Sequence, residues 1–587
     1  WSEAAAIGVA RPYPSGAAIT GDGVRDAHNG VLTQPPDPRN GHGVNVHQLA
    51  AFRWDGRRFL EVPVQVDQRF PYFLANGQSS FSTYSGTDEE LTYRWDTESW
   101  RKTAGGCDAT YPSPTDRPTA GPSGDRLSDN DEISFMASDA GRAAPVRAPA
   151  PRTASGAGRY EITVVDPTAP GGRRYLYLFQ APPSFNATNG YVHYQRAADA
   201  DHWIDSKSFA PGDPEALGLS NTGYGPHLAG TVCDPGQPPR QSTKRWVKDG
   251  VSVTTSTYAW TASGRWMIRG LQVSSPAKPA SYGPSLIDRW KGRAFRLSPD
   301  EARAAGPLDV GGFEDEQTNW EANSALLGER AGPVRAIREV WGADSGTNVT
   351  NTETFYRDAI TYRYHLRVHP IPPDGLYAYW NYRQDVATRY YDPLLPSGVA
   401  VDGHPDGSNL ASATAGTPLA TDVSDPTFGI DSVLLNWSQV SGRGRSGSLV
   451  YATEVKGPTS LENPVVEPFY RDDACYDDGT GSSPVPRPWP GRPSDDPAVR
   501  AGYSAENGNV PYSSLTCAQR DGLWGAHGFH VAFSGDTDNA FSPKPVTEAD
   551  VQEWQFAVPT PRPENIGAGY AQTVRSPLVA VARLRRP

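Results

Sequence analysis

The sequence predicts a mostly β protein, built as several antiparallel β-sandwich domains with long Pro/Gly-rich loops and few short helices. Three observations carry that prediction. Glycine and proline number 59 and 55 and are spread along the chain without a repeat period, which suits short strands joined by turns and excludes a helical bundle or collagen. Hydrophobic residues make up 37% and aromatic residues 10%, enough to fill folded cores and unlike a disordered chain. Runs of alternating polarity recur between turn-rich stretches.

Taken in order, Arg159–Val165 and Arg174–Phe179 alternate in polarity around Asp166–Gly172 and form a hairpin. Trp246–Val247 and Val251–Trp260 flank Lys248-Asp249-Gly250, where Asp-Gly supplies the positive φ of a tight turn. Trp266–Val273 continues that meander. Val334–Trp341, Glu353–Tyr356, Ile360–Val368 and Leu376–Tyr382 are consecutive strands, and Ser448–Val455, Gly528–Phe533 and Leu578–Leu584 complete the set. Ser298-Pro299-Asp300-Glu301 has the form of a capping box and opens one or two helical turns through Ala305. Thr547 to Trp554, with Asp550 at the matching position, is a second helix candidate.

A chain of 587 residues exceeds one hydrophobic core, so about two to four domains are expected. Stretches Gly105–Gly124, Ala140–Gly158 and Asp477–Arg500 have linker composition. The main boundary is placed near residue 295, with an N-terminal β region carrying an acidic loop over 1–295. A C-terminal β-sandwich or supersandwich-like domain then covers 296–587.

The net charge is −12 and no Lys/Arg cluster appears, so nucleic acid is not an expected partner. No apolar run reaches the ~20 residues that span a bilayer, so no transmembrane segment is expected. The four cysteines, Cys107, Cys233, Cys475 and Cys517, form no CxxC or CxxCH. Widely spaced and even in number, they suit two disulfides, Cys107–Cys233 and Cys475–Cys517 in the simplest of three pairings. A start at Trp1 rather than methionine is expected of a mature exported protein. The expected location is extracellular or at the cell surface.

Acidic residues cluster in Asp125-Arg126-Leu127-Ser128-Asp129-Asn130-Asp131-Glu132. Carboxylates one and two residues apart converge oxygens on a hard cation, so Asp125, Asp129, Asp131 and Glu132 are candidate ligands of a structural calcium. A solvated acidic turn leading into the strand Ile133–Ala137 is the alternative. Asp536 and Asp538 form a second calcium candidate. His527 and His530, in an HGFH pattern, share a transition-metal candidate with Asp536 if both face one side of a strand. No GxSxG, HExxH, P-loop or GxGxxG signature occurs, so no catalytic residue is assigned and no nucleotide, haem or flavin is expected. Aromatics bunch in Tyr377-Ala378-Tyr379-Trp380-Asn381-Tyr382 and Tyr390-Tyr391-Asp392, with Asp385 nearby. Such groups stack on sugar rings or fill β cores.

The segment Phe52–Gly56 through Val62-Pro63-Val64-Gln65-Val66-Asp67, followed by Asp129–Ala137, resembles a group of large, uncharacterised secreted bacterial proteins. Phe469–Cys475 and Ser534–Ala540 resemble the same group's C-terminal half. The resemblance implies an extracellular protein. Gly332-Pro333-Val334-Arg335-Ala336-Ile337-Arg338 is similar to a strand of galactose-mutarotase-like β-supersandwiches, a scaffold that several polysaccharide lyases share. Two functional expectations follow. One is a secreted carbohydrate-binding or carbohydrate-active protein, whose partner is polysaccharide. The other is a structural cell-surface protein of a layer, filament or matrix, whose partners are copies of itself.

Overall fold

The computed structural model describes residues 44–72, 90–102, 124–127, 131–197, 202–205, 231–232, 240–241, 245–294, 325–342, 347–368, 376–404, 433–456, 464–472, 524–533 and 547–585, apart from short breaks inside these ranges. Antiparallel strands dominate, and among the described residues one α-helix, Gly567–Arg575, occurs. No helix among them is long and apolar enough to cross a membrane.

The largest element is a ten-stranded sheet. From one edge its strands are Val399–Ala400, Ala387–Tyr391, Val433–Gly442, Ser448–Lys456 and Thr547–Val558. Ala359–Val368, Thr347–Phe355, Ala336–Gly342, Ala325–Ala331 and Thr97–Lys102 follow to the other edge. A second layer faces it, made of two smaller sheets. One has the order Val192–Arg196, Val251–Thr255, Tyr258–Ala262, Ile268–Ser275, Lys278–Ser285. The other has the order Ile287–Ala294, Leu376–Tyr382, Ala526–Phe533, Pro464–Arg471. Val251 and Val253 are buried while Ser252 and Thr254 are half-buried, the period-two pattern of a sheet with one face on a core. Trp260, Trp266, Trp290 and Trp380 are fully buried between the layers, each worth about 4 to 6 kcal/mol of gross apolar burial.

A five-stranded terminal sheet has the order Phe59–Val62, Leu49–Trp54, Arg173–Gln180, Arg159–Val165, Val579–Arg585. Both faces of its central strands are covered, while Val579, Val581 and Leu584 on the edge strand are exposed. Ala51, Ile162, Val164, Leu176 and Leu178 pack with Ile133, Phe135 and Val334 on one side. On the other, Phe52, Trp54, Tyr177 and Phe179 pack with Ala144 and, half-buried, Ala148, Ala150 and Ala154. The stretch Ala140–Gly158, expected as a linker, is therefore the cover of this face. Arg159 fastens it, donating to the carbonyls of Pro145 (2.8 Å) and Ala148 (3.3 Å) while its guanidinium lies 5.2 Å from the Phe59 and Tyr177 ring centroids.

Two expected elements differ. Thr547–Trp554 is not helical but forms most of the strand Thr547–Val558, hydrogen-bonded to neighbours on both sides. A ladder on each edge outweighs the weak local preference of a Thr-x-x-Asp start. Val251–Trp260 is not one strand: Val251–Thr255 and Tyr258–Ala262 form a hairpin of their own, turned by Thr255, whose hydroxyl accepts the N–H groups of Thr257 and Tyr258 (3.0 Å each). Arg245–Lys248 pairs instead with His202–Asp205, so no hairpin spans Lys248-Asp249-Gly250. The strand Leu376–Tyr382 agrees with its expected bounds. The boundary expected near residue 295 follows the strand Ile287–Ala294, and one core draws on both sides of it, with Val253, Trp260 and Trp290 packing in the same cluster as Tyr362, Tyr451 and Val551. The Ser298–Ala305 helix and the stretches Gly105–Gly124 and Asp477–Arg500 lie outside the described residues, save Gly124.

Candidate functional site

Charged residues singled out by sequence meet at a buried joint between the terminal sheet and the sandwich. The strand Gln65–Asp67 pairs with Glu132–Ser134 so that Asp67 sits directly opposite Glu132. Two carboxylates so placed repel, and a cation has to lie between them. Arg335 supplies it from the turn that joins Ala325–Ala331 to Ala336–Gly342. Its Nε and Nη2 donate to Asp67 Oδ2 (2.8 and 2.7 Å), and Nη2 also binds Glu132 Oε2. Arg69 Nη1 takes the other oxygen of Glu132 at 3.0 Å. Arg330 binds Asp67 Oδ1 and donates to Val66 O (2.7 Å) and Asp96 Oδ1 (2.9 Å). Gln65 ties the motifs together, donating to both Asp67 oxygens and accepting the backbone N–H of Val334 (3.2 Å) and Arg335 (3.0 Å). Gly332 is required there, because a Cβ would stand 2.0 Å from Gln65 Oε1.

Asp67 and Arg335 are 0% exposed. Burial alone would raise the Asp67 pKa, but Arg335 and Arg330 outweigh it and hold the carboxyl below its usual value. Burial would likewise discharge Arg335, but Glu132 and Asp67 keep it firmly protonated. A group locked in one charge state and sealed from solvent does no acid–base work. The joint is an ionic crosslink.

The second polar assembly lies inside the sandwich. Trp260 Nε1 donates to Tyr362 OH (3.0 Å), and Tyr362 donates to Gln555 Oε1 (3.0 Å). Gln555 Nε2 donates to Tyr451 OH (2.8 Å), Tyr451 and Tyr382 are hydrogen-bonded, and Tyr382 OH lies 2.8 Å from His527 Nδ1. An indole N–H only donates, so Tyr362 OH accepts from Trp260 and donates onward to Gln555. Beyond Gln555, Tyr451 OH accepts from Gln555 Nε2, and Tyr382 OH bridges Tyr451 and His527 Nδ1. His527 Nε2 has no hydrogen-bond partner among the described residues. Burial lowers the His527 pKa to about 3, so the imidazole is neutral. Beside this chain Glu553 accepts from Trp380 Nε1 (2.6 Å), and burial lifts its pKa to about 8. Glu353 is lifted to about 7 by burial, which outweighs the Arg338 guanidinium 3.1 Å away.

A third buried acid, Asp472, accepts the backbone N–H groups of Asp402 (2.7 Å), Gly403 (3.0 Å) and Gly525 (2.9 Å). Both glycines have positive φ, 81° and 55°, a region that favours residues without a Cβ. Burial outweighs these bonds and raises the Asp472 pKa to about 7.

The remaining expected sites fall as follows. Asp125 is bound to Arg94 (2.9 Å) and lies 3.6 Å from His47. Asp131 accepts the Arg69 backbone N–H (3.0 Å), and Glu132 is spent on the arginines. Asp129, Asp536, Asp538 and all four cysteines lie outside the described residues. Among the described residues no three or more His, Cys, Asp or Glu side chains are grouped to hold a metal ion. His527 and His530 both lie on the strand Ala526–Phe533, where His527 is buried. Tyr379, Trp380, Tyr382, Tyr390 and Tyr391 are buried, serving the core. Asp385 pairs with Arg383 in solvent (2.9 Å), and Asp392 caps its own turn at the Leu394 and Leu395 N–H groups (2.8 and 2.7 Å).

No protein-family profile matches the chain, and no curated protein matches it. Among solved structures it overlaps a TPR-domain containing protein from Parabacteroides distasonis at 9% identity and a TM-score of 0.22, over 65% of this chain and 57% of that one. An overlap that loose carries no argument about fold or function.

Glu353, Glu553 and Gln555 were not among the residues singled out by sequence. A signal for the last two existed in the spacing Val551, Glu553, Gln555, Ala557 against Gln552, Trp554, Phe556, Val558, which is a strand pattern with polar groups on one face.

Proposed function

We propose that this chain is an exported structural protein of the cell surface or extracellular matrix, with a mechanical rather than a catalytic role. The observation that carries the reading is the inward direction of its charged and aromatic constellations. Asp67, Glu132 and Arg335 satisfy one another at 0 to 4% exposure, and the bunched tyrosines fill the sandwich. Buried ion pairs add little net stability but exact a large cost when one partner is lost, so they fix one arrangement of two packed units. That suits a body that bears load. Export is supported by the even number of widely spaced cysteines.

Electron microscopy of the purified chain across a concentration series, and of its native source, tests the proposal. Regular layers or filaments are the expected result. Monodisperse particles that bind or cleave a polysaccharide saturably would instead establish the carbohydrate-directed reading.

A further inference from the structure

We propose that the strand Val579–Arg585 pairs antiparallel with the same strand of a second copy, joining two terminal sheets about a two-fold axis. Its role rests on the structural reading above, while its geometry does not. The strand lies at one edge of the terminal sheet. It pairs with Arg159–Val165 at seven consecutive positions without a bulge, and its outer edge has no ladder partner among the described residues. Seven residues long, it contains neither proline nor glycine. Val579, Val581 and Leu584 are 46%, 43% and 49% exposed, three of the five exposed large hydrophobics among the described residues. A long, regular, apolar edge is a template for another strand.

Other sheet edges are guarded. Lys278–Ser285 carries Pro279 and Pro284, Pro464–Arg471 carries Pro464 and Pro468, and Val399–Ala400 is two residues long. At the far edge of the terminal sheet, Phe59–Val62 is four residues long. Its Glu61 holds a neighbouring segment by accepting the N–H groups of Ser184 (2.7 Å) and Phe185 (3.0 Å). Val579–Arg585 has no such proline and no such tie among the described residues.

The occupant follows from the strand's own sequence. Residues directly opposite in an antiparallel pair share a face and meet. With Ala582 on an axis normal to the sheet, all seven residues pair. Val579 lies opposite the partner's Arg585, Ala580 opposite the partner's Leu584, and Val581 opposite the partner's Arg583. Small meets large on the face of Ala580 and Ala582. On the other face the aliphatic stems of arginine cover valine while the guanidinium groups stay in water. No like charges stand directly opposite across the axis. Each Arg583 keeps Glu161 directly opposite within its own sheet, and the same carboxylate accepts from Arg585 at 2.8 Å. An axis at Arg583 would set that residue against itself, and an axis at Val581 would leave Leu584 and Arg585 outside the ladder.

The test is sedimentation velocity of the full chain across a concentration series, with variants of the strand. Wild type is expected to pass from monomer to dimer. Val581→Lys sets a cation opposite the partner's Arg583 on both sides of the axis and should weaken the dimer about tenfold. Position 581 is exposed, so the melting temperature in dilute solution should not change. Ala582→Cys brings two thiols together on the axis, within the range of a disulfide, and oxidation should join position 582 to position 582 in one crosslinked peptide. Val579→Cys, whose thiols would lie at opposite ends of the ladder, should not crosslink to itself. A wild type that stays monomeric overturns the proposal and leaves the edge to a strand of another protein. A dimer unmoved by Val581→Lys, or one that Ala582→Cys does not crosslink, overturns it too. Layers or filaments undiminished in Val581→Lys would remove this contact and keep the structural role, whereas a dimer that never builds further would keep the contact and remove the role.

Discussion

Replacing Arg335 by methionine isolates the joint between the terminal sheet and the sandwich. Methionine keeps the length and packing of the stem while deleting the guanidinium. Asp67 and Glu132 are then left facing each other across one ladder position with the charge between them gone. Removing one partner of a buried ion pair costs about 3–5 kcal/mol. Arg330 still neutralises Asp67, and Arg69 and Tyr93 still hold Glu132, so the low end, about 3 kcal/mol, is expected. The loss appears as a lower urea midpoint at pH 7 and should change little with added salt, because buried charges are poorly screened. Amide exchange should quicken first in the strands Gln65–Asp67 and Glu132–Ser134. The Asp67 pKa is depressed below 3.8 in the fold, so its contribution is present above that value and is lost as pH falls through the folded pKa. Acid should therefore narrow the gap between variant and wild type. An Arg335→Met protein within about 0.5 kcal/mol of wild type, the range of an ordinary surface change, would refute this account of the joint.

The sandwich interior predicts a pH profile with two slopes. Glu353, Glu553 and Asp472 have raised pKa values, about 7, 8 and 7, so their stabilising contribution is complete below the ordinary carboxyl range and is lost as pH rises through 7 to 8. His527 acts oppositely: its pKa is depressed to about 3, so its contribution holds above 6.5 and is lost as pH falls. Three carboxyls lose more per pH unit than His527 gains, so from these groups melting temperature should peak at about pH 4 to 5 and fall toward neutral pH. Glu553→Gln should flatten that fall by an amount on the order of 4 kcal/mol, with Trp380 still donating to an amide oxygen. Trp554→Ala should cost about 3–5 kcal/mol in urea unfolding, because Trp554 packs under the helix Gly567–Arg575 with Ala571 and Val574. Gly332→Ala should cost about 1–3 kcal/mol in urea unfolding, by displacing the Gln65 amide from two buried N–H groups.

Local pattern showed most strands because alternation is a property of neighbouring residues. Arg159–Val165 and Leu376–Tyr382 have the same bounds in the structure as in the sequence reading. The same logic misread Thr547–Trp554. Glu553 and Gln555 turn into a polar interior that only the assembled sandwich creates. The VPVQVD, DNDEIS and GPVRAIR segments each stood out in the sequence, but their common destination did not. Arg335 meets Asp67 across 268 residues and Glu132 across 203, and no single-sequence pattern encodes such partners. The aromatic bunches were visible, while their burial depended on the second layer of sheets.

The strand Val579–Arg585 closes the terminal sheet against Arg159–Val165, and Arg585 reaches Glu161 across 424 residues. During synthesis Arg159–Val165 remains a raw β edge until residues 579–585 have emerged, more than 400 residues later. Unpaired edges recruit foreign strands, and contacts this distant in sequence form late. Ending the chain before Val579 should therefore leave that edge unpaired and yield aggregates rather than a smaller folded protein.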